Sequence, residues 1–284
     1  MIVVTGATGQ LGRLVIDNLL RTVPPSEIVA AVRDPAKASE FTARGVQVRR
    51  ADYTQPESLQ QAFVGAEKLL LISSSAIGQR AVQHRAAIDA AVRSGVKLVA
   101  YTSVLHADTS PLGLSKEHKE TEAMLKASGL PHVLLRNGWY TENYAASVPA
   151  ALEHGAMLGC AGDGLISSAA RVDYAAAAAA VMVAANQAGR VYELAGDTSY
   201  TLTEFAAEIA RQSGRAVIYK NLPQREYEAA LVGFGLPAAV ADLLANSDTG
   251  ASKGGLFDDG RQLSSLIGRP TTPMADTVAA AIKS

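Results

Sequence analysis

"VTGATGQLG", residues 4–12, follows a short apolar run and leads into a helical pattern. Within it Gly6, Gly9 and Gly12 stand at a Gly-x-x-Gly-x-x-Gly spacing. A strand ending at Thr5, a turn, and a helix beginning near Gln10 form the context in which such a triplet cradles a dinucleotide. Gly6 permits the tight turn, Gly9 lets the backbone approach a pyrophosphate, and Gly12 lets the helix pack on the strand. The N–H groups at the helix start attract the anion. The competing reading is a glycine-rich strand–helix turn without a ligand.

Outward from this loop, the first half alternates strand and helix. Apolar strand candidates are residues 2–5, 27–32, 46–50, 68–73, 97–102 and 132–136, and the segments between them carry helical spacing, as at Leu11, Leu14, Val15 and Leu19. Near-continuous apolar strands separated by helices predict a parallel sheet covered on both faces, a doubly wound α/β Rossmann fold. Beyond residue 138 the rhythm loosens. A capped helix is expected over 173–189, a strand over 190–196 and a second helix over 201–214. The expected division is a Rossmann domain at 1–142 and a smaller C-terminal α/β substrate lobe at 143–284, with elements of about 171–196 returning to the first.

Composition narrows the function classes. Of 284 residues 48% are hydrophobic, and Lys+Arg 26 against Asp+Glu 27 leave a formal net charge of −1. That balance points away from nucleic acid and anionic membranes. A lone Cys160 excludes an intrachain disulfide and fits a reducing compartment, so the cytoplasm is expected. The first residues read as strand, and no signal peptide is expected. The apolar runs "KLLLIS" and "AAAAAAVMVAA" fall short of the ~20 residues a membrane span needs. His84, His106, His132 and His154 form no metal-ligand spacing, and no metal is expected.

The second strand should end at the residue that reads the adenosine ribose. There the chain has "AVRDPAK": Arg33 at the strand end, then Asp34. A guanidinium matches a 2′-phosphate, which favours NADP(H). The alternative takes Asp34 as the acid on a 2′-hydroxyl. Asp52, ending the third strand, lies where an adenine edge would sit, with a plain turn-forming role as the competing reading. Ser73, Ser74 and Ser75 end the fourth strand, beside the passage from adenosine to nicotinamide.

The glycine spacing resembles that of extended and atypical short-chain dehydrogenases/reductases. In the standard enzymes a Ser follows strand five and a Tyr-x-x-x-Lys opens the next helix. Ser103 matches the serine; aligning Glu122 with the usual acid after the lysine puts His118 at the lysine position and Leu114 at the tyrosine position. The proton-donating tyrosine is absent. Ketone reduction makes an alkoxide with a conjugate acid near pKa ~16, whereas quinone reduction makes a phenolate near ~10. That difference is roughly 8 kcal/mol of charge needing no help from the protein. Losing a general acid worth ~10²–10⁴-fold cripples the first reaction and leaves the second feasible. His118 is a candidate for holding the nicotinamide ribose or relaying a proton; the alternative is a helix residue satisfied by Glu122 at i+4.

"LLRNGWYTENY", residues 134–144, leaves the sixth strand at the carboxyl end of the sheet, where ligands bind in open α/β folds. Asn137 can offer its amide to the nicotinamide or to a carbonyl acceptor. Trp139, Tyr140 and Tyr144 cluster in a chain with only 5% aromatics, and a flat quinone stacks on such rings; Trp139 also suits plain packing. His106, after the fifth strand, is a further substrate-facing candidate.

Along the full chain, "MIVVTGATGQLG", "ADYTQPESL", "EKLLLISSS", "HADTSPLGL", "LRNGWYTENYAASVPAALEHG" and "GASKGGLFDD" resemble the type 2 NAD(P)H:quinone oxidoreductases, which are NmrA-like atypical short-chain reductases. The resemblance implies flavin-free, NADPH-dependent quinone reduction and a homodimer. It also implies cofactor contacts from Gly6, Ala7, Thr8, Gly9, Gln10 and Leu11, from Arg33 and Ser73 to Ser75, and from Asn137, Gly138, Trp139, Tyr140, Thr141 and Glu142. The triphenylmethane dye reductases share the cofactor loop, and a non-catalytic NADP sensor of the NmrA kind is the reading from another class.

Overall fold

Each apolar run of the first half becomes a strand of one sheet. In the computed structural model, which describes residues 1–283, the strands are β1 (Ile2–Thr5), β2 (Ile28–Val32), β3 (Gln47–Arg50), β4 (Lys68–Leu71), β5 (Leu98–Val104), β6 (His132–Asn137), β7 (Ala156–Gly159), β8 (Val191–Leu194) and β9 (Ile218–Asn221). Seven of them form a sheet in the order β3-β2-β1-β4-β5-β6-β8. The ladders from β3 to β6 are parallel, with Val3 level with Val29 and Leu69. The order reverses between β1 and β4. The loops after these two strands therefore diverge and leave a crevice at their carboxyl ends.

Element ends differ from the sequence reading for local reasons. β4 stops at Leu71 rather than 73, because the Ile72 and Ser73 N–H groups turn to the Thr5 and Thr102 hydroxyls. β5 runs to Val104, since Ser103 and Val104 pair with Arg136 and Asn137. The alanine-rich helix spans Arg171–Val183 and ends short of 189, ahead of Asn186 in the left-handed region (φ 57°). The pairing of β7 with β9, a separate two-stranded parallel sheet, has no counterpart in the apolar pattern; Ile218, Lys220 and Asn221 are exposed.

The chain divides into two compact units, each built from three segments. The first comprises Met1–Val104, Glu117–Asn137 and Arg171–Tyr192. Its core joins Val3, Val29, Leu69, Leu71, Val99 and Tyr101 to Ile88 and Leu125 of the covering helices and to Phe63 in the turn after the Pro56–Ala62 helix. The Gln10–Leu19 helix packs on Arg171–Val183, whose small alanines allow close approach. At the start of Gln10–Leu19, a Cβ on Gly12 would lie 2.4 Å from the Gly6 carbonyl oxygen and 2.7 Å from Ala7 Cα. Only hydrogen fits there.

The second unit comprises Leu105–Lys116, Gly138–Ala170 and Glu193–Ser284. Trp139, Tyr144, Tyr200, Phe205 and Ile209 anchor its core. The helix expected over 201–214 spans Leu202–Ser213, begins with a Thr201/Glu204 capping box and ends at left-handed Gly214. One charge is sunk in this core. Asp248 accepts the Cys160 N–H (3.0 Å) and the Tyr144 hydroxyl (3.1 Å), and burial still pushes its carboxyl up to about 6.

Two outcomes follow for stability. Gly12→Ala should lower the unfolding free energy by ~1–3 kcal/mol, the usual range for overpacking, as a reduced urea midpoint. Asp248 binds its proton more tightly folded than unfolded, so its contribution is complete below the ordinary carboxylate pKa and lost as pH rises through about 6. Asn at 248 keeps both hydrogen bonds, its amide donating to the Tyr144 oxygen. Relative to the parent, Asp248→Asn should gain about 2 kcal/mol on going from pH 4 to pH 7.5; equal urea midpoint differences at the two pH values would refute this.

Candidate active site

The first unit supplies the glycine turn. Gly6 has φ +58°, a conformation that side chains disfavour, and its carbonyl accepts the Gly9 N–H at 2.9 Å. Ala7 and Leu11 are buried beneath the turn, whereas Gly9 and Gln10 are exposed and Thr8 half-buried. The helix after Gly9 has no side-chain cap and no acid in its first turn. Its leading N–H groups therefore suit an anion.

Beyond β2, Arg33 is exposed, while Asp34 caps the turn Pro35–Ala38 by accepting the Ala36 N–H at 3.1 Å. Asp52 is likewise engaged locally, taking the Thr54 N–H (2.9 Å) and hydroxyl (2.8 Å). The Thr54 N–H chiefly holds its carboxyl below the usual range, and the Arg33 and Arg50 charges add to this. The two acids are occupied by the backbone, and the arginine is presented to solvent. That arrangement suits a phosphate better than a ribose hydroxyl.

After β4, Ser73 and Ser74 are half-buried and Ser75 is exposed. His118 sits on the Ser115–Ser128 helix, 4% exposed, with Nδ1 2.7 Å from the Tyr101 hydroxyl. Burial first, then the Arg80 and His84 charges, lower its pKa to about 3, so the ring is neutral at neutral pH. Glu122 does not satisfy it, contrary to the i+4 alternative. That carboxylate holds Arg136 through two bonds, 3.0 and 2.6 Å, and accepts the Ser103 hydroxyl at 2.5 Å. The serine aligned with the short-chain enzymes is thus bonded to a buried ion pair. Tyr101 does not replace the missing phenol: it is fully buried, and burial pushes its pKa far up. Asn137, at the end of β6, has a buried Oδ1 that accepts no hydrogen bond from the protein. An amide acceptor left open at the carboxyl end of the sheet, a cradle a Cβ would fill and an uncapped helix start all fit a dinucleotide.

The second unit carries the remaining candidates. The Gly138 N–H donates to Leu194 O at 2.7 Å, and Trp139 and Thr141 bracket Ala169 through backbone bonds. The Thr141 hydroxyl meets Ser168 Oγ at 2.8 Å, and Glu142 is half-buried. Trp139 and Tyr144 belong to the core, their rings 6.5 Å apart; Tyr140, half-buried, lies outside that cluster. His106 is held in the left-handed region (φ 51°), its N–H on Glu193 (2.8 Å) and its Nε2 3.3 Å from Asp258. Leu114 packs on the same core.

Sequence reasoning overlooked Arg80 and His84, which bond the Ser74 backbone. Their i, i+4 spacing at the start of the helix after "SSSAIGQ" was the available signal. Among the described residues no group of three or more His, Cys, Asp or Glu can hold a metal ion, and no helix is long and apolar enough to cross a membrane.

Comparison with known proteins agrees with this geometry. A family described as NAD(P)H-binding matches residues 6–189. Quinone oxidoreductase 2 of Escherichia coli is 62% identical over 98% of this chain and 97% of its own. The crystal structure of an Escherichia coli NADPH-dependent quinone oxidoreductase complexed with NADPH superposes with a TM-score of 0.97 at 61% identity, covering 99% of this chain and all of that one (100%). The Citrobacter triphenylmethane reductase with NADP(H) gives 0.95 at 38% identity, covering 99% of this chain and 100% of its own. With a Rossmann sheet, a glycine cradle and a near-full-length likeness in hand, the chain belongs to the NAD(P)H-binding family and, within it, to the NmrA-like group that includes quinone oxidoreductase 2.

Proposed function

We propose that this chain is an NADPH-dependent quinone reductase working without flavin, metal or a tyrosine proton donor. The observation that carries the reading is a dinucleotide cradle in a chain whose sequence has Leu114 at the position aligned with the proton-donating tyrosine. His118, at the aligned lysine position, is buried and neutral. The 62% identity to quinone oxidoreductase 2, against 38% to the triphenylmethane reductase, supports a quinone over a dye.

NADPH, when bound, supplies hydride. The chain's own groups bind and orient. The first-turn N–H groups after Gly9 hold the pyrophosphate, Arg33 holds the 2′-phosphate, and Asn137 accepts an N–H at the carboxyl end of the sheet. Tyr140 offers a face for a flat acceptor, with His106 as a further contact on the second unit; Tyr144, sealed in the core with its hydroxyl on Asp248, is not one of them. The first unit is thus the cofactor unit and the second the quinone unit. Catalysis rests on orientation, because the hydroquinone anion is stable enough to leave before protonation. A homodimer in the cytoplasm completes the reading, carried by the family likeness.

Purified protein should oxidise NADPH, followed at 340 nm by stopped flow, with simple benzo- and naphthoquinones. No turnover with any quinone despite NADP⁺ binding would overturn the reading in favour of a sensor, and turnover confined to triphenylmethane dyes in favour of the sister group. Arg33→Ala should raise KM for NADPH roughly ten- to hundredfold and leave that for NADH little changed. Equal effects on both would remove the 2′-phosphate assignment.

A further inference from the structure

The Arg80–Arg93 helix grips one residue of the loop after β4 through the peptide groups on both of its sides. The Ser74 N–H donates to His84 Nε2 at 2.9 Å, and the Ser74 carbonyl accepts Arg80 Nε–H at 2.6 Å. The Ser74 hydroxyl donates to Gln83 at 2.5 Å and accepts the Ala76 N–H at 3.1 Å. Every polar group of Ser74 is therefore turned toward the protein. On one side Ser73 is held by Thr102, whose hydroxyl accepts the Ser73 N–H at 2.8 Å and donates to the Ser73 hydroxyl at 3.3 Å; on the other, Ser75 is exposed.

The protonation of His84 follows from its partners. The Thr121 hydroxyl gives its proton to the Glu117 carbonyl at 2.9 Å, so toward His84 Nδ1, also at 2.9 Å, it acts as acceptor. Nδ1 must carry the ring proton, and Nε2 the lone pair. The Ser74 N–H requires the same tautomer independently. Tyr53 and Tyr101 meet the ring edge-on at 6.1 and 5.4 Å and fix its plane. The ring is fully buried, and burial with the Arg80 charge lowers its pKa to about 4. An imidazolium, or the other tautomer, would set N–H against N–H at Ser74.

We propose that His84 is a positioning residue of the cofactor site: its Nε2 lone pair, selected by Thr121, fixes the Ser74 backbone and so holds the loop that presents Ser75 to the dinucleotide. This deepens the cofactor reading above and rests on it.

The test is isothermal titration with NADP⁺ of the parent, His84→Leu and His84→Gln, together with long-range ¹H–¹⁵N NMR of the parent's histidine rings. Leu strands the Ser74 N–H, and affinity should fall roughly ten- to hundredfold. Gln places an acceptor oxygen near the position of Nε2 and should restore most of it. The NMR pattern should report Nδ1–H. Leu binding as tightly as the parent, Gln as weak as Leu, or an Nε2–H ring would each overturn the proposal. Should the Leu variant fail to fold, Gln and the tautomer decide. A parent that binds no NADP⁺ would instead overturn the function itself, and this role with it.

Discussion

The ion pair between Glu122 and Arg136, both less than a tenth exposed, is the constraint around which the first unit is arranged. It joins the Ser115–Ser128 helix to β6, and the Ser103 hydroxyl adds β5 to the same carboxylate. Such a pair is no guaranteed gain over hydrocarbon, but losing one partner strands a buried charge at a cost of about 3–5 kcal/mol. Its geometry therefore sets how the helix lies on the sheet. His118, one turn before Glu122, and Asn137, next to Arg136, take their positions from it. In this chain the serine that the standard enzymes use near the carbonyl has become part of the scaffold.

Around that scaffold the polar groups are neutral or already bonded. His84 and His118 are uncharged, Tyr101 is sealed in the core, and Asp34 and Asp52 serve turns. Among the groups that stay open are the leading amides of one helix, Arg33, Ser75 and the Asn137 oxygen. A site furnished this way recognises a dinucleotide and supplies little acid–base chemistry. The demand for a proton passes to the acceptor, and only acceptors whose reduced anion is already stable meet it.

The fold was legible because its signals are local. The strand of residues 2–5, the glycine turn and the helix that follows it each declare themselves within a few residues. Strand ends were less so: β4 closes early because Thr5 and Thr102, distant in sequence, capture its last N–H groups. The β7–β9 pair stayed hidden since neither strand alternates clearly and their partners lie far apart. In the candidate site, the places of Arg33 and Asn137 at strand ends could be read from the sequence. The bonds of Glu122, His84 and Asp248 could not, because each is defined by partners on other elements. The sequence pairs Glu122 with His118 at i+4, whereas folding pairs it with a strand residue beyond the helix.

The interleaving of the two units bears on synthesis. The Gln10–Leu19 helix leaves the ribosome early, yet the Arg171–Val183 helix that covers it belongs to the last segment of the first unit. Until that segment emerges, the nascent first unit carries an uncovered apolar helix face, the kind of transiently exposed surface that favours aggregation. No single cut in the gene would yield either unit intact. Circular permutants or insertions that keep all three segments of a unit in reach of one another are the ones expected to survive.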